Sequence, residues 1–146
     1  MGHSINSVKL VAVFAENKPG QVARITQILA NANINIHCVT VASSGAYGVM
    51  KVVVNQPDLA HLALRHEGFA ATLLDAVAVE MADNPGALHT VADCLAQHGV
   101  NLENTSGFVA NHRAILVIEA QNVTRASEVL QGSGLHVLSQ KEMLSL

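Results

Sequence analysis

The sequence predicts an α+β fold built from two tandem β-α-β-β-α-β units, each an antiparallel sheet with its helices on one face. Three observations carry that prediction. The first is an internal repeat: a shift of 66 residues superimposes the first half on the second without a gap. Val11-Ala12-Val13 falls on Val77-Ala78-Val79, Pro19-Gly20 on Pro85-Gly86, Leu29-Ala30 on Leu95-Ala96, Asn35 on Asn101, Ala60 on Ala126, Leu64 on Leu130 and Gly68 on Gly134. Two copies are too few for a solenoid, whose repeats lean on their neighbours, so each copy must be close to a complete small domain. The second observation is the alternation, within each copy, of β-branched runs with stretches whose apolar residues recur every three or four positions. The third is composition. With 50% hydrophobic and 13% charged residues in 146, the chain is too apolar for disorder and must bury extensive surface. The expected domains are residues 1–74 and 75–146, each short enough to gain from packing on the other.

The elements follow in order. Val8 to Phe14 is a strand with Val8, Leu10, Ala12 and Phe14 on one side and Val11 and Val13 on the other. Asn17-Lys18-Pro19-Gly20 turns the chain, and Pro19 suits the first helical position, where its missing N–H is harmless. Val22, Ile25, Ile28, Leu29 and Ala32 then form one apolar helical stripe. Ile34 to Val41 alternates as a second strand, Ser43-Ser44-Gly45 makes a hairpin turn, and Tyr47 to Val54 is a valine-rich third strand. Pro57 opens a second helix with Leu59, Leu62, Ala63 and His66 inward, stopped by Gly68 at a left-handed cap. Phe69 to Leu74 is the fourth strand, which completes a ferredoxin-like unit.

Copy two repeats the pattern: a strand from Asp75 to Met81, a helix from Pro85 to His98 with Leu88, Val91, Ala92 and Leu95 inward, and strands at Val100 to Phe108 and His112 to Ala120. A helix from Thr124 to Gln131 and a strand from Leu135 to Ser139 close it. No Gly or Pro separates Leu73 from Ala76, so one strand should run into the next and hold the halves side by side. Val11, Val13, Val39 and Val41 are expected to make the helix-free face apolar, and a homodimer is the simplest cover for it.

Charge and cysteine content exclude several classes. Eight basic residues against eleven acidic ones, a net charge of −3, leave no electrostatic footprint for nucleic acid. No apolar run approaches a membrane span, and Met1 to Asn6 lacks a targeting pattern, so a cytoplasmic protein is expected. Cys38 and Cys94 occupy non-equivalent repeat positions, which argues against a disulfide framework and for a reducing compartment.

The turn after the first strand is the candidate ligand site. Asn17-Lys18-Pro19-Gly20, repeated as Asp83-Asn84-Pro85-Gly86, presents a helix's free N–H groups and the positive end of its dipole. Gly20 and Gly86 let an anionic oxygen approach the backbone closely. Asn35 and Asn101, read as lying near the same sheet edge, offer two donors and an acceptor each, which can satisfy both the ammonium and the carboxylate of an amino acid. Pro-Gly is also ordinary helix-start chemistry, and an asparagine there can equally bond the adjacent loop.

These motifs, Asn17-Lys18-Pro19-Gly20 with Ile34-Asn35-Ile36 and Asp83-Asn84-Pro85-Gly86 with Val100-Asn101-Leu102, resemble the ACT domain, a family of small regulatory modules that bind amino acids. The resemblance covers nearly the whole chain as two copies without a catalytic domain, and the C-terminal Gly134 to Ser139 segment with its tail is similar as well. It implies a ferredoxin-like fold, a free amino acid held between ACT units, and control of a metabolic enzyme through subunit contacts. Serine-sensitive phosphoglycerate dehydrogenases of this family use asparagines at the positions of Asn17 and Asn35, and a histidine where this chain has Ala15. The missing histidine weakens the case for serine. Asp83 in copy two would repel a carboxylate but hold an ammonium, so the two sites should differ and copy one is favoured.

Other chemistry finds little support. His37 and Cys38 point to opposite strand faces, His61 and His66 are five apart on a helix, and His89 with Asp93 would be a site half built, so no metal is expected. No Cys-x-x-Cys occurs, nothing resembles a catalytic triad, and Gly132-Ser133-Gly134 follows a helix where a dinucleotide fingerprint needs a strand. The chain reads as a non-enzyme without a cofactor, either an amino-acid sensor or a ligand-free adaptor docking on an enzyme.

Overall fold

The computed structural model describes residues 6–146; the N-terminal residues that bore on targeting lie outside them. In chain order the elements are β1 (Val8–Glu16), α1 (Gln21–Asn31), β2 (Ile36–Ser44), β3 (Tyr47–Val54), α2 (Pro57–His66), β4 (Ala70–Met81), α3 (Ala87–Gln97), β5 (Asn104–Ala110), β6 (Arg113–Glu119), α4 (Val123–Gly132), β7 (Val137–Leu138) and α5 (Gln140–Leu144). They form two compact units, Lys9–Leu74 and Asp75–Leu146, with residues 6–8 belonging to the second. As expected from the sequence between Leu73 and Ala76, β4 is one unbroken strand.

In the first unit the strands lie in the order β2-β3-β1-β4, and β3 pairs antiparallel with both β1 and β2. Val11 and Val39 both pair with Val52, and Val13 and Val41 both pair with Met50. Cross-strand partners point to the same face, and Val11, Val13, Met50 and Val52 pack with Ile25 and Leu29 of α1 and Leu64 of α2. Val11, Val13, Val39 and Val41 therefore face the helices. The expectation of a helix-free face is corrected, because each strand's two sides are both apolar and alternation alone cannot say which one meets the helices. β2 is the outermost strand, and there Val39 and Val41 stay 51% and 52% exposed.

Two helix readings shift as well. In α2 the buried residues are Ala60 and Leu64, while Leu59 and Leu62 are 42% and 64% exposed and His66 points to solvent. The apolar stripe is one position off because alanine, the smallest of the apolar residues, marks the closest approach to the sheet. In α1 and α3 the stripes narrow to Ile25 with Leu29 and to Val91 with Leu95; Val22 and Leu88 at the first turns are half exposed. The hairpin turn is the two-residue loop Gly45-Ala46, with Gly45 at φ 65, and Ser43 and Ser44 belong to β2.

The second unit pairs β5 with β6, β6 with the later half of β4, and β4 with β7. Its core joins Val77, Val79, Val91, Leu95, Leu116, Ile118 and Leu130. Asn6 is held in it: its Nδ2 donates to the Val137 carbonyl at 3.0 Å, and the buried Ser127 hydroxyl donates to the Asn6 carbonyl at 3.4 Å. After the short β7 the chain forms α5, an element beyond the two repeats. A reciprocal capping box between Ser139 and Glu142 starts it, and Met143 anchors it, 2% exposed.

Candidate functional site

The Pro-Gly segments are type II turns. Gly20 has φ 90 and ψ −14, the Gln21 N–H donates to the Lys18 carbonyl at 3.4 Å, and Pro19 occupies the position where its fixed φ is favoured. Gly86 matches it at φ 91 and ψ −8, with the Ala87 N–H donating to Asn84 at 3.3 Å. Pro19 and Pro85 thus stand before the helix caps and not at the first helical position, because the second central residue of this turn must be left-handed and glycine supplies it. No side chain caps either helix. In α1 the Gln21 amide serves the turn and the Arg24 amide bonds the Gly20 carbonyl, so the Val22 and Ala23 amides are the donors this helix end offers.

Asn17 ties the turn to the hairpin. Its backbone N–H donates to the Ala46 carbonyl at 2.8 Å and its Nδ2 to the Gly45 carbonyl at 3.0 Å. Its Oδ1 remains an acceptor beside Lys18, whose Nζ lies 3.6 Å from Glu16 in an exposed ion pair. Between this corner, the first turn of α1 and the end of β2 runs a cleft of about 60 Å³. Asn17, Lys18, Glu16 and Gln21 stand at its mouth, and Val22, Ile25, Val41 and Met50 supply its apolar lining. Ser43 and Gly48 complete it as a cross-strand pair. A Cβ on Gly48 would meet the Ser43 Oγ at 2.7 Å, so the glycine makes room for that hydroxyl.

The second unit has a cleft of about 280 Å³ at nine repeat-equivalent positions, among them Met81, Ala82, Asp83, Asn84, Ala87, Leu88 and Gly107. A further hollow of about 310 Å³ borders Asn84, Pro85, Gly86 and Thr90. The clefts share a place but not a chemistry. Glu16, Lys18, Gln21 and Ser43 are replaced by Ala82, Asn84, Ala87 and Val109, which leaves Asp83 as the one charged residue lining the second cleft.

The structure does not bring Asn35 to this corner. It precedes β2, whose first residue Ile36 pairs with Val54, whereas the turn follows Glu16, which pairs with Tyr47 at the other end of β3. The Asn35 N–H donates to the Asn55 side-chain Oδ1 at 3.0 Å, and its own carbonyl receives the Asn55 N–H at 3.2 Å. Asn101 likewise lies before β5, remote from Asp83, since β5 begins opposite Glu119 and Met81 lies opposite Ala114. Sequence reading missed Gln21, Val41, Ser43 and Gly48; the signal for the last was a glycine inside an otherwise valine-rich strand.

Among the described residues no group of three or more His, Cys, Asp and Glu could hold a metal, and no helix is long and apolar enough to cross a membrane. Cys38 and Cys94 are free thiols, and burial pushes the Cys38 thiol pKa up, away from thiolate reactivity.

Comparison with known proteins is consistent with this geometry. Residues 6–146 match the ACT domain pair family. A solved protein from Bacteroides thetaiotaomicron is 31% identical, aligned over 96% of this chain and 97% of that one with a TM-score of 0.90. Regulatory subunits of aspartate kinase share the fold at lower identity: the ligand-free form from Thermus thermophilus at 19%, over 89% and 94% with a TM-score of 0.62, and that from Thermus flavus at 18%, over 90% and 94% with a TM-score of 0.59. No curated protein matches the sequence significantly. The repeat, the paired type II turns and these matches together place the chain in the ACT family, as an ACT domain pair.

Proposed function

We propose that this protein is a non-catalytic cytoplasmic regulator that binds a free amino acid at its first ACT unit and signals through contacts between chains. One observation carries the reading. The first cleft combines both signs of charge, an open amide pair and an apolar lining, and the second, at the same repeat positions, keeps the place with Asp83 as its one charged residue. The ligand carboxylate lies toward the Val22 and Ala23 amides and Lys18, with Pro19 and Gly20 shaping the approach, and the ammonium lies toward Asn17 Oδ1 and Glu16. Asp83, Asn84, Pro85 and Gly86 form a weaker, amine-preferring counterpart, from which Asn101 of the same chain is remote.

The cleft is far smaller than the roughly 300–1,000 Å³ of ordinary ligand sites, so a second chain is needed to enclose the ligand. The exposed edge of β2, with Val39 and Val41 half exposed, is the surface for it. Antiparallel pairing of two β2 strands about a twofold axis would carry the partner's Asn35 to the Gly45 end of this chain, beside Asn17, and give both asparagines a place in one site. The Thermus proteins are described as regulatory subunits of an enzyme, and a metabolic enzyme as target fits the same role here.

A thermal-shift screen of the twenty amino acids tests this. A ligand held at a hundredfold its Kd adds about 2.7 kcal/mol, a rise of several degrees that Asn17→Ala should diminish, and sedimentation should show the hit favouring dimer. The adaptor reading has its own observation. Leu59 and Leu62 form an exposed apolar patch on α2 where copy two has Arg125 and Glu128. No shift with any amino acid, together with loss of enzyme association on Leu62→Glu, would favour it.

A further inference from the structure

The lining of the first cleft says what kind of amino acid it accepts, an inference that rests on the amino-acid reading above. Its charged and amide groups, Glu16, Asn17, Lys18 and Gln21, are exposed or partly exposed at the mouth. Below them the lining turns apolar: Ile25 and Met50 are buried at 1% and 3%, and Val22 and Val41 close the two sides. An amino acid whose α-ammonium and α-carboxylate sit at the mouth must direct its side chain at these four residues. A charged side chain would lose its water there with no partner to replace it, and burying an unpaired charge is among the costliest events in a protein.

Size narrows the choice further. A dry cavity of about 150 Å³ holds the six carbons of benzene. On that scale the part of the cleft that this chain itself walls in, about 60 Å³, holds about two or three carbons of the side chain. Ser43 and Gly48 bound it on the strand side, and the close fit of Ser43 Oγ against Gly48 leaves no slack there. The counterpart in copy two loses bulk at the walls: Gln21 and Val41 become Ala87 and Gly107, and the space is about 280 Å³. The narrowness of the first cleft is thus a property of its own side chains and not of the shared backbone.

We infer that the ligand is an amino acid with a short, uncharged aliphatic side chain of up to about three carbons, the class of alanine and valine. Affinity should rise from alanine to valine by about fourfold per added methylene, the equivalent of about 0.8 kcal/mol at 1.4 kcal/mol per tenfold. It should then fall for phenylalanine, which does not fit, and for lysine and aspartate, which do not desolvate.

Isothermal calorimetry of the full chain with alanine, valine, leucine, phenylalanine, lysine and aspartate reads this directly. Valine is expected to bind best, with lysine, aspartate and phenylalanine at least tenfold weaker. Val22→Ala lies at a half-exposed helical position where alanine is well tolerated, and it should move the preference toward leucine by widening one wall. Tightest binding by a charged or aromatic amino acid overturns this inference and leaves the sensor reading standing, as does a Val22→Ala protein with unchanged preferences. Binding of none of the six, with no response in the wider twenty-amino-acid screen, overturns the sensor reading itself.

Discussion

Replacing Gly20 with alanine tests the type II turn on which the site is built, and the structure isolates one term. A Cβ at Gly20 would meet nothing within 4 Å, so no steric clash enters the result. What remains is the backbone, held at φ 90 and ψ −14. A left-handed conformation costs an L-residue about 1–2 kcal/mol, and alanine offsets about 0.4–1 kcal/mol of that by restricting the unfolded chain. The net loss should be about 1 kcal/mol, a fall in Tm of about 2–4 °C for a chain near 150 residues. Gly20→Asn should cost less, because asparagine enters this region more readily. Urea denaturation with calorimetry reads both, and Gly86→Ala should give the same loss, since its φ is 91 and its Cβ space is equally open. A Gly20→Ala protein as stable as wild type would refute the left-handed turn, and a loss above about 4 kcal/mol, the scale of core disruption, would mean that the corner is packed and closed to ligand.

Three further outcomes follow from other parts of the molecule. Gly48→Ala should destabilise the chain and reduce ligand affinity in the same thermal assay, because its Cβ would stand 2.7 Å from Ser43 Oγ and 3.0 Å from the Ala42 carbonyl; adding Ser43→Ala should restore only part of the loss, since the backbone contact persists. Leu64→Ala should cost about 2–5 kcal/mol while Leu62→Gln stays within about 0.5 kcal/mol, and equal losses would restore the helix phase read from sequence. Ser139→Ala should cost about 1 kcal/mol through its cap. The Glu142 carboxyl is held below the usual carboxylate range, first by the Ser139 backbone N–H and then by His136. Its contribution is therefore present above the pKa of the unfolded carboxyl and is lost as pH falls through the folded value. The stability gap between wild type and Glu142→Gln should accordingly shrink as pH falls below about 4.5, the carboxyl's ordinary value, and a gap that widens there would contradict it.

The repeat made the order of elements legible, and it held more than was drawn from it. Ala60 with Ala126 and Leu64 with Leu130 are preserved, whereas Leu59 and Leu62 become Arg125 and Glu128, so the identities already marked the buried phase of α2. A helical period alone reads either stripe, because Leu59, Leu62 and Ala63 satisfy the spacing as well as Ala60 and Leu64 do. The separation of Asn35 from Asn17 was legible too. A strand-helix-strand crossover makes β1 and β2 parallel, so the start of β2 lies at the start of β1 and away from the turn that follows it. Serine at 139 and glutamate at 142 spelled a capping box and with it α5. The cleft was the least legible part. Val22 read as part of the helix's core stripe and Val41 as part of a helix-free face, and only the register of β2 on β3, with Val41 half exposed on the outer strand, turns them into the walls of an opening.

The central claim is that a carboxylate docks on the first turn of α1. Titrating isotopically labelled protein with valine and following its backbone amides by NMR tests it at the atoms concerned. The largest shifts should fall on Val22 and Ala23, with Gly20 and Lys18 beside them, while Leu88 and His89 at the equivalent turn of α3 stay still. Shifts centred on Leu88 and His89, or an unmoved spectrum at every amino acid tried, would contradict the account.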